Sequence, residues 1–170
     1  MHPAGLANPV SHLRAIPRAE APARILLSPP HLTGAELGAM QDSLDAGWLA
    51  PAGPAPRAFE AAVAAATGIR HVAAVASGTA ALHLGYRCLG LLPDDEVWAP
   101  GLTFVATVAP AVQMGARVRF LDVCPQSWTL DPDLLRRELR AAGARGRLPR
   151  LVVPVDLFGQ SCDLDAILSA

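Results

Sequence analysis

The chain has 170 residues, of which 52% are hydrophobic and 17% charged, with a formal net charge of −1. That length holds one domain with a real core, and the composition excludes a wholly disordered chain. The near-neutral charge gives no general reason to expect a nucleic-acid partner, and no apolar run reaches the about 18 residues that a membrane span needs.

Residues 1–24 are rich in Pro and Ala and read as a flexible tail. Ile25 to Pro30 is extended, because Pro29 and Pro30 forbid a helix. Thr33 then caps a helix, with Glu36 at the capping-box spacing and Leu37, Met40 and Leu44 at helical intervals. Gly47 stops it, and Trp48 to Pro56 is a proline-dense loop. A second helix is predicted from about Ala55 to Thr67, with Gly68 as its C-cap.

From His71 onward strand and helix alternate. Strands are predicted at Val72–Ala76, Glu96–Ala99, Arg117–Val123 and Leu151–Val155. Helices are predicted at Thr79–Leu89, at about Phe104–Met114 (which must accommodate Pro110), and from Asp131, with Pro132 in the first turn. This order implies an α/β fold with a mostly parallel sheet and helices on its faces. Asp163 looks like an N-cap, and Leu164, Ile167 and Leu168 begin an amphipathic helix that meets Ala170 after about two turns. A domain rarely finishes inside a helix just begun, so the chain is expected to be a fragment.

The cysteines, Cys88, Cys124 and Cys162, are odd in number and contain no CxxC pair. That pattern fits reduced thiols in a cytosol better than a disulfide framework or a zinc site. Pro3, Pro9 and Pro17 interrupt an N-terminus without an apolar stretch, so no signal peptide is expected and the location is read as cytoplasmic. His31, His71 and His83 share no metal-ligand spacing, and no metal is expected. The stretch from Arg136 to Arg150 reads as a solvated helix face rather than an anion site, because Asp133 and Glu138 interleave with it.

One stretch carries chemistry. The run Val72–Ala76 breaks at Ser77-Gly78-Thr79 and continues as a helix of small residues. Such a turn points unpaired N–H groups and the positive end of a helix dipole at one spot, which favours a phosphate dianion. Gly78 lets the backbone approach the ligand, and Thr79 adds a hydroxyl. Alone, Ser-Gly-Thr fits an ordinary strand-to-helix turn with Thr79 as a plain N-cap better. Phe104, after a strand end, is either a core residue or an aromatic able to stack on a ligand ring, with Thr107 one turn later. Asp156 and Gln160 lie past the last strand, where ligands of parallel sheets collect, although Asp156 suits loop capping equally well.

The ordered set of motifs resembles the N-terminal part of the DegT-type sugar-nucleotide aminotransferases, which are pyridoxal phosphate enzymes of fold type I. The resemblance covers about residues 25–170 and rests on Leu27-Ser28-Pro29-Pro30-His31, Gly34-x-Glu36-Leu37, Trp48-Leu49-Ala50-Pro51-x-Gly53-Pro54, Phe59-Glu60 and Ser77-Gly78-Thr79-Ala80-Ala81-Leu82-His83. Downstream it continues with Asp95-Glu96-Val97, Thr103-Phe104-Val105-Ala106-Thr107, Gly115-Ala116, Phe120-Leu121-Asp122 and Phe158-Gly159-Gln160. In that order the Ser-Gly-Thr turn reads as a phosphate site.

The resemblance implies a truncated three-layer αβα major domain over residues 25–170. It implies a cofactor site of Ser77, Gly78, Thr79 and Phe104, with Thr107 and Gln160 at its margin. It implies amino transfer from glutamate to a keto sugar nucleotide of the 4-keto-6-deoxy type for glycan building, in a homodimer when full length. Many relatives carry His where Asp156 stands, in a His-Leu-Tyr-Gly pattern, so no role transfers to Asp156. The fourteen basic residues are all Arg and the chain has no lysine. The family's Schiff-base lysine is therefore absent, no covalent cofactor attachment through a side chain is possible, and the chain alone is expected to be inactive. Two other readings stay open: the dehydratase branch of the same family, in which His replaces that lysine, and a non-catalytic α/β remnant.

Overall fold

The computed structural model describes residues 29–48, 50 and 52–170. The expected tail over residues 1–24, the extended stretch up to Ser28, and Leu49 and Pro51 of the Trp48 loop lie outside the described residues. The chain divides into two units, Met1–Ala55 and Pro56–Ala170.

In the first unit, helix α1 spans Glu36–Asp45. The expected capping pair forms with altered roles. Glu36 accepts the Thr33 N–H at 2.8 Å and the Thr33 hydroxyl at 2.9 Å, while its second oxygen accepts the Gly34 N–H at 2.8 Å. Ala35, not Thr33, occupies the N-cap position, and the Thr33 hydroxyl accepts the Ala35 N–H at 3.3 Å. The donors around Glu36 hold its carboxyl down at about 2. Leu37, Met40 and Leu44 line one stripe and are all exposed.

Helix α2, Pro54–Thr67, starts on a proline whose missing N–H costs nothing there, and ends at Gly68 with φ +74°. Within the second unit follow α3 (Gly78–Cys88), β1 (Glu96–Pro100), a 3-10 turn (Val105–Thr107), α4 (Ala109–Gln113), β2 (Arg117–Leu121), α5 (Pro132–Ala144), β3 (Leu151–Val152) and α6 (Leu164–Leu168). The strands form a parallel sheet in the order β2-β1-β3. Val97 pairs with Val118 on one side and with Leu151 on the other.

The alternation of β1 builds a layer on each face of the sheet. Val97 joins Tyr86 and Leu82 of α3 and Ala111 of α4 in one cluster. Its neighbour Trp98 joins Leu135 and Ala142 of α5 and Ile167 of α6 in another. Both side chains are completely buried. A strand apolar on both faces, covered by helices on each side, is the three-layer αβα arrangement that the motif order implies. At the start of α5 one Asp131 oxygen accepts the N–H groups of Asp133 (2.8 Å) and Leu134 (3.1 Å), with Pro132 following it as expected.

Four sequence expectations need correction. Val72–Ala76 is not a strand: among the described residues no strand lies beside it, and a strand cannot form without a ladder partner. Its one side-chain tie is the Ala74 N–H donated to Glu60 at 2.8 Å. The helix expected over Phe104–Met114 is broken, because Pro110 lacks an N–H and clashes one turn back. It sits instead in the first turn of the short α4. β2 ends at Leu121, where its partner β1 ends at Pro100, and Val123 then bridges to Leu130. β3 stops at Val152: Val153 still donates to Trp98 at 2.8 Å, and Pro154, a residue that interior strands disfavour, follows it.

Candidate functional site

The Ser77-Gly78-Thr79 turn opens α3. Ser77 is extended (φ −163°, ψ 161°), its hydroxyl accepts the Ala80 N–H at 3.1 Å, and its carbonyl accepts the Ala81 N–H at 3.0 Å. Ser77, not Thr79, is therefore the helix cap. With the cap supplied two positions earlier, the Gly78 and Thr79 N–H groups and the Thr79 hydroxyl have no acceptor among the described residues. All three residues are exposed, and a Cβ added at Gly78 would meet nothing within 4 Å. Open space, two N–H groups and a hydroxyl at the positive end of an 11-residue helix fit a phosphate dianion.

Phe104 follows β1, is extended (φ −69°, ψ 137°) and is 75% exposed, so its ring takes no part in the core of the described residues. Its carbonyl accepts the Thr107 N–H at 2.9 Å, which closes the 3-10 turn. Thr107 lies beneath that turn. It is buried, its hydroxyl pairs with that of Thr103 at 2.8 Å, and its carbonyl accepts the Tyr86 hydroxyl at 2.5 Å. Thr107 thus anchors the segment that presents Phe104. Burial pushes the Tyr86 phenol above its ordinary value. The sequence gives neither Tyr86 nor Thr103 a role; the available signals are that Tyr86 is the only tyrosine in the chain and that Thr103 opens the Thr103–Thr107 motif.

Gln160 sits past β3 in a tight turn with Leu157, where their backbones exchange bonds of 3.0 and 2.9 Å. Its side-chain amide donates to the Ser161 carbonyl at 2.9 Å. With Trp128 and Phe158 it lines a shallow cleft of about 230 Å³. Asp156 caps this loop by accepting the Cys162 N–H at 2.9 Å, and that bond holds its carboxyl below the usual range. Among the described residues no hydrogen bond joins Ser77, Gly78 or Thr79 to Phe104, Thr107 or Gln160. Phe104, Asp156 and Gln160 share the carboxyl ends of β1 and β3, the end of a parallel sheet at which ligands bind.

A larger cleft, about 420 Å³, lies at the opposite ends of the strands, between Asp94–Glu96 and Arg147–Arg150. Two of its cations are engaged in structure: Arg117 donates to the Asp94 carbonyl at 2.9 Å and Arg150 to that of Leu89 at 2.8 Å. It holds none of the candidate cofactor residues Ser77, Gly78, Thr79, Phe104, Thr107 and Gln160.

The residue order and this geometry agree with one family, whose model matches residues 30–170. The chain belongs to the DegT/DnrJ/EryC1/StrS aminotransferase family. It is 40% identical over 86% of its length to Bacillus subtilis EpsN, which is named for pyridoxal phosphate-dependent amino transfer, and covers 38% of that protein. It is 33% identical over 85% of its length to the GDP-perosamine synthase of Caulobacter vibrioides, again covering 38%. Among solved structures it matches Streptococcus pneumoniae Spr1654, described as a sugar aminotransferase, in its PLP form. That match has a TM-score of 0.74 and 30% identity, over 85% of this chain and 35% of the other. The chain thus spans well under half the length of these relatives. No described helix is long and apolar enough to cross a membrane.

Proposed function

We propose that residues 25–170 form the N-terminal portion of the cofactor-binding major domain of an aminotransferase that moves an amino group from glutamate to a keto sugar nucleotide. The sugar would be of the 4-keto-6-deoxy type, used for glycan building in the cytoplasm, and the full-length enzyme a homodimer. The observation that carries the cofactor reading is the α3 terminus, where Ser77 completes the helix cap and leaves Gly78 and Thr79 free to donate. The names of the relatives support a sugar nucleotide as acceptor.

Bound pyridoxal phosphate supplies the electron sink for amino transfer. The chain's own residues would bind and orient it. The N–H groups of Gly78 and Thr79 and the Thr79 hydroxyl would hold the phosphate through charge-assisted bonds. The exposed Phe104 ring would lie on the pyridine face, with Tyr86 and Thr103 fixing the turn beneath it. Gln160 would stand at the rim. Without a lysine, these residues hold no amine that could carry a proton at the reacting carbon.

The reading is tested on a protein that joins this chain to the length its relatives have beyond it. With cofactor, glutamate and a 4-keto sugar nucleotide it should yield an amino sugar, whereas the 170-residue chain should yield none. Dehydration of the sugar without amino transfer would overturn the proposal.

A further inference from the structure

A third cleft, about 300 Å³, lies beside the Gln160 loop, and two of the chain's three cysteines line it: Cys124 and Cys162, together with Ser127, Thr129, Pro132 and Asp163. Cys124 sits in the turn between β2 and α5. That turn is held by the Cys124 N–H donated to the Thr129 carbonyl at 2.9 Å and the Trp128 N–H donated to the Cys124 carbonyl at 2.8 Å. Trp128 has φ +61°, the left-handed region, so the turn curls back on itself. Cys162 follows β3 and is fixed by its N–H bond to Asp156. Cys88, on α3, is exposed and lines no part of this cleft.

We propose that Cys124 and Cys162 form a dithiol site that reacts with low-molecular-weight disulfides and closes into an intramolecular disulfide. The two thiols differ in the way such chemistry needs. Hydrogen bonding with the backbone of Ser127 and Gln126 outweighs the nearby Asp131 carboxylate and holds the half-buried Cys124 thiol below its ordinary range. The Cys124 thiol donates to the Gln126 side-chain oxygen at 3.0 Å, which fixes the sulfur in the turn. Burial, with the Asp156 carboxylate beside it, pushes the Cys162 thiol up, so Cys124 reacts first and Cys162 resolves.

The steps balance without a further reagent. The Cys124 thiolate attacks one sulfur of the small disulfide, whose S–S bond breaks to release one small thiolate. Cys162 then loses its proton to water and attacks the Cys124 sulfur, which releases the second small thiolate. Two protein thiols are oxidised and one small disulfide is reduced to two thiols. The product staples the turn after β2 to the loop that carries Gln160.

The test uses the full chain and oxidised glutathione. Trypsin separates the three cysteines into peptides 88–117, 120–136 and 151–170. Brief exposure should modify Cys124 about ten-fold faster than Cys88, and longer exposure should link peptides 120–136 and 151–170 with the loss of two hydrogens. Cys162→Ser should stop at the glutathione adduct on Cys124, and Cys124→Ser should abolish the cross-link. In guanidinium the preference for Cys124 over Cys88 should vanish. Equal modification of all three cysteines in the native chain, or a cross-link through Cys88, would overturn the proposal, as would failure of the 124–162 link to form.

Discussion

The hydroxyl of Tyr86, in the second half of α3, donates to the backbone carbonyl of Thr107 at 2.5 Å. The bond ties the helix that carries the candidate phosphate turn to the segment that presents Phe104. Tyr86→Phe would leave a buried carbonyl without a donor, at a cost of about 1–3 kcal/mol, read as a lower urea midpoint with an unchanged slope. The same contact gives a sign at high pH. Because burial raises the phenol's folded value, its contribution is fully present below the ordinary value of 10.0 and lost as pH rises through the folded one. Tyr86→Phe should flatten that alkaline loss.

Glu36 offers the opposite sign. Three donors hold its carboxyl at about 2 against an ordinary 4.5, so its support for the start of α1 is full above 4.5 and fades as pH falls through about 2. A carboxyl carbon titration by NMR should place the Glu36 midpoint near 2. A midpoint near 4.5 would show that the Thr33–Glu36 cap is not formed in solution.

Asp131 receives two N–H groups at the start of α5 with a single oxygen. Asp131→Ala should cost about 1 kcal/mol, and Asp131→Asn distinctly less, in the same urea experiment. Equal losses would mean that the carboxylate acts through charge rather than as a cap.

Sequence periodicity located α3, β1 and α5 because each carries its determinants locally: a cap, a run apolar on both faces, a Pro in the first turn. It overextended β2 and β3 because a strand ends where its partner does, at Pro100 for β2, or shortly before a proline, as at Pro154 for β3. Val72–Ala76 has strand composition, yet a ladder needs a neighbour that composition cannot name. At the candidate site the Ser-Gly-Thr turn was legible, but the choice of Ser77 over Thr79 as cap depends on backbone angles two residues apart. Tyr86 and Thr103 were not legible, since their roles arise from contacts 21 and 4 residues away.

Borohydride added to the chain with pyridoxal phosphate should label no side chain, because there is no lysine to trap. Tryptic mass mapping should find any reduced adduct only on the α-amino group of Met1. An adduct on an internal peptide would mean that the protein in the tube has a different sequence.

The central claim, that the α3 terminus holds a phosphate, is tested most directly by comparing the chain's affinity for pyridoxal phosphate and for pyridoxal, followed by tryptophan fluorescence. The phosphate form should bind at least about ten-fold more tightly, a difference of about 1.4 kcal/mol. Thr79→Ala should weaken it by a further about 1.5–3 kcal/mol while leaving pyridoxal unaffected. Equal affinity for the two compounds, or an unchanged affinity for pyridoxal phosphate in Thr79→Ala, would contradict the account.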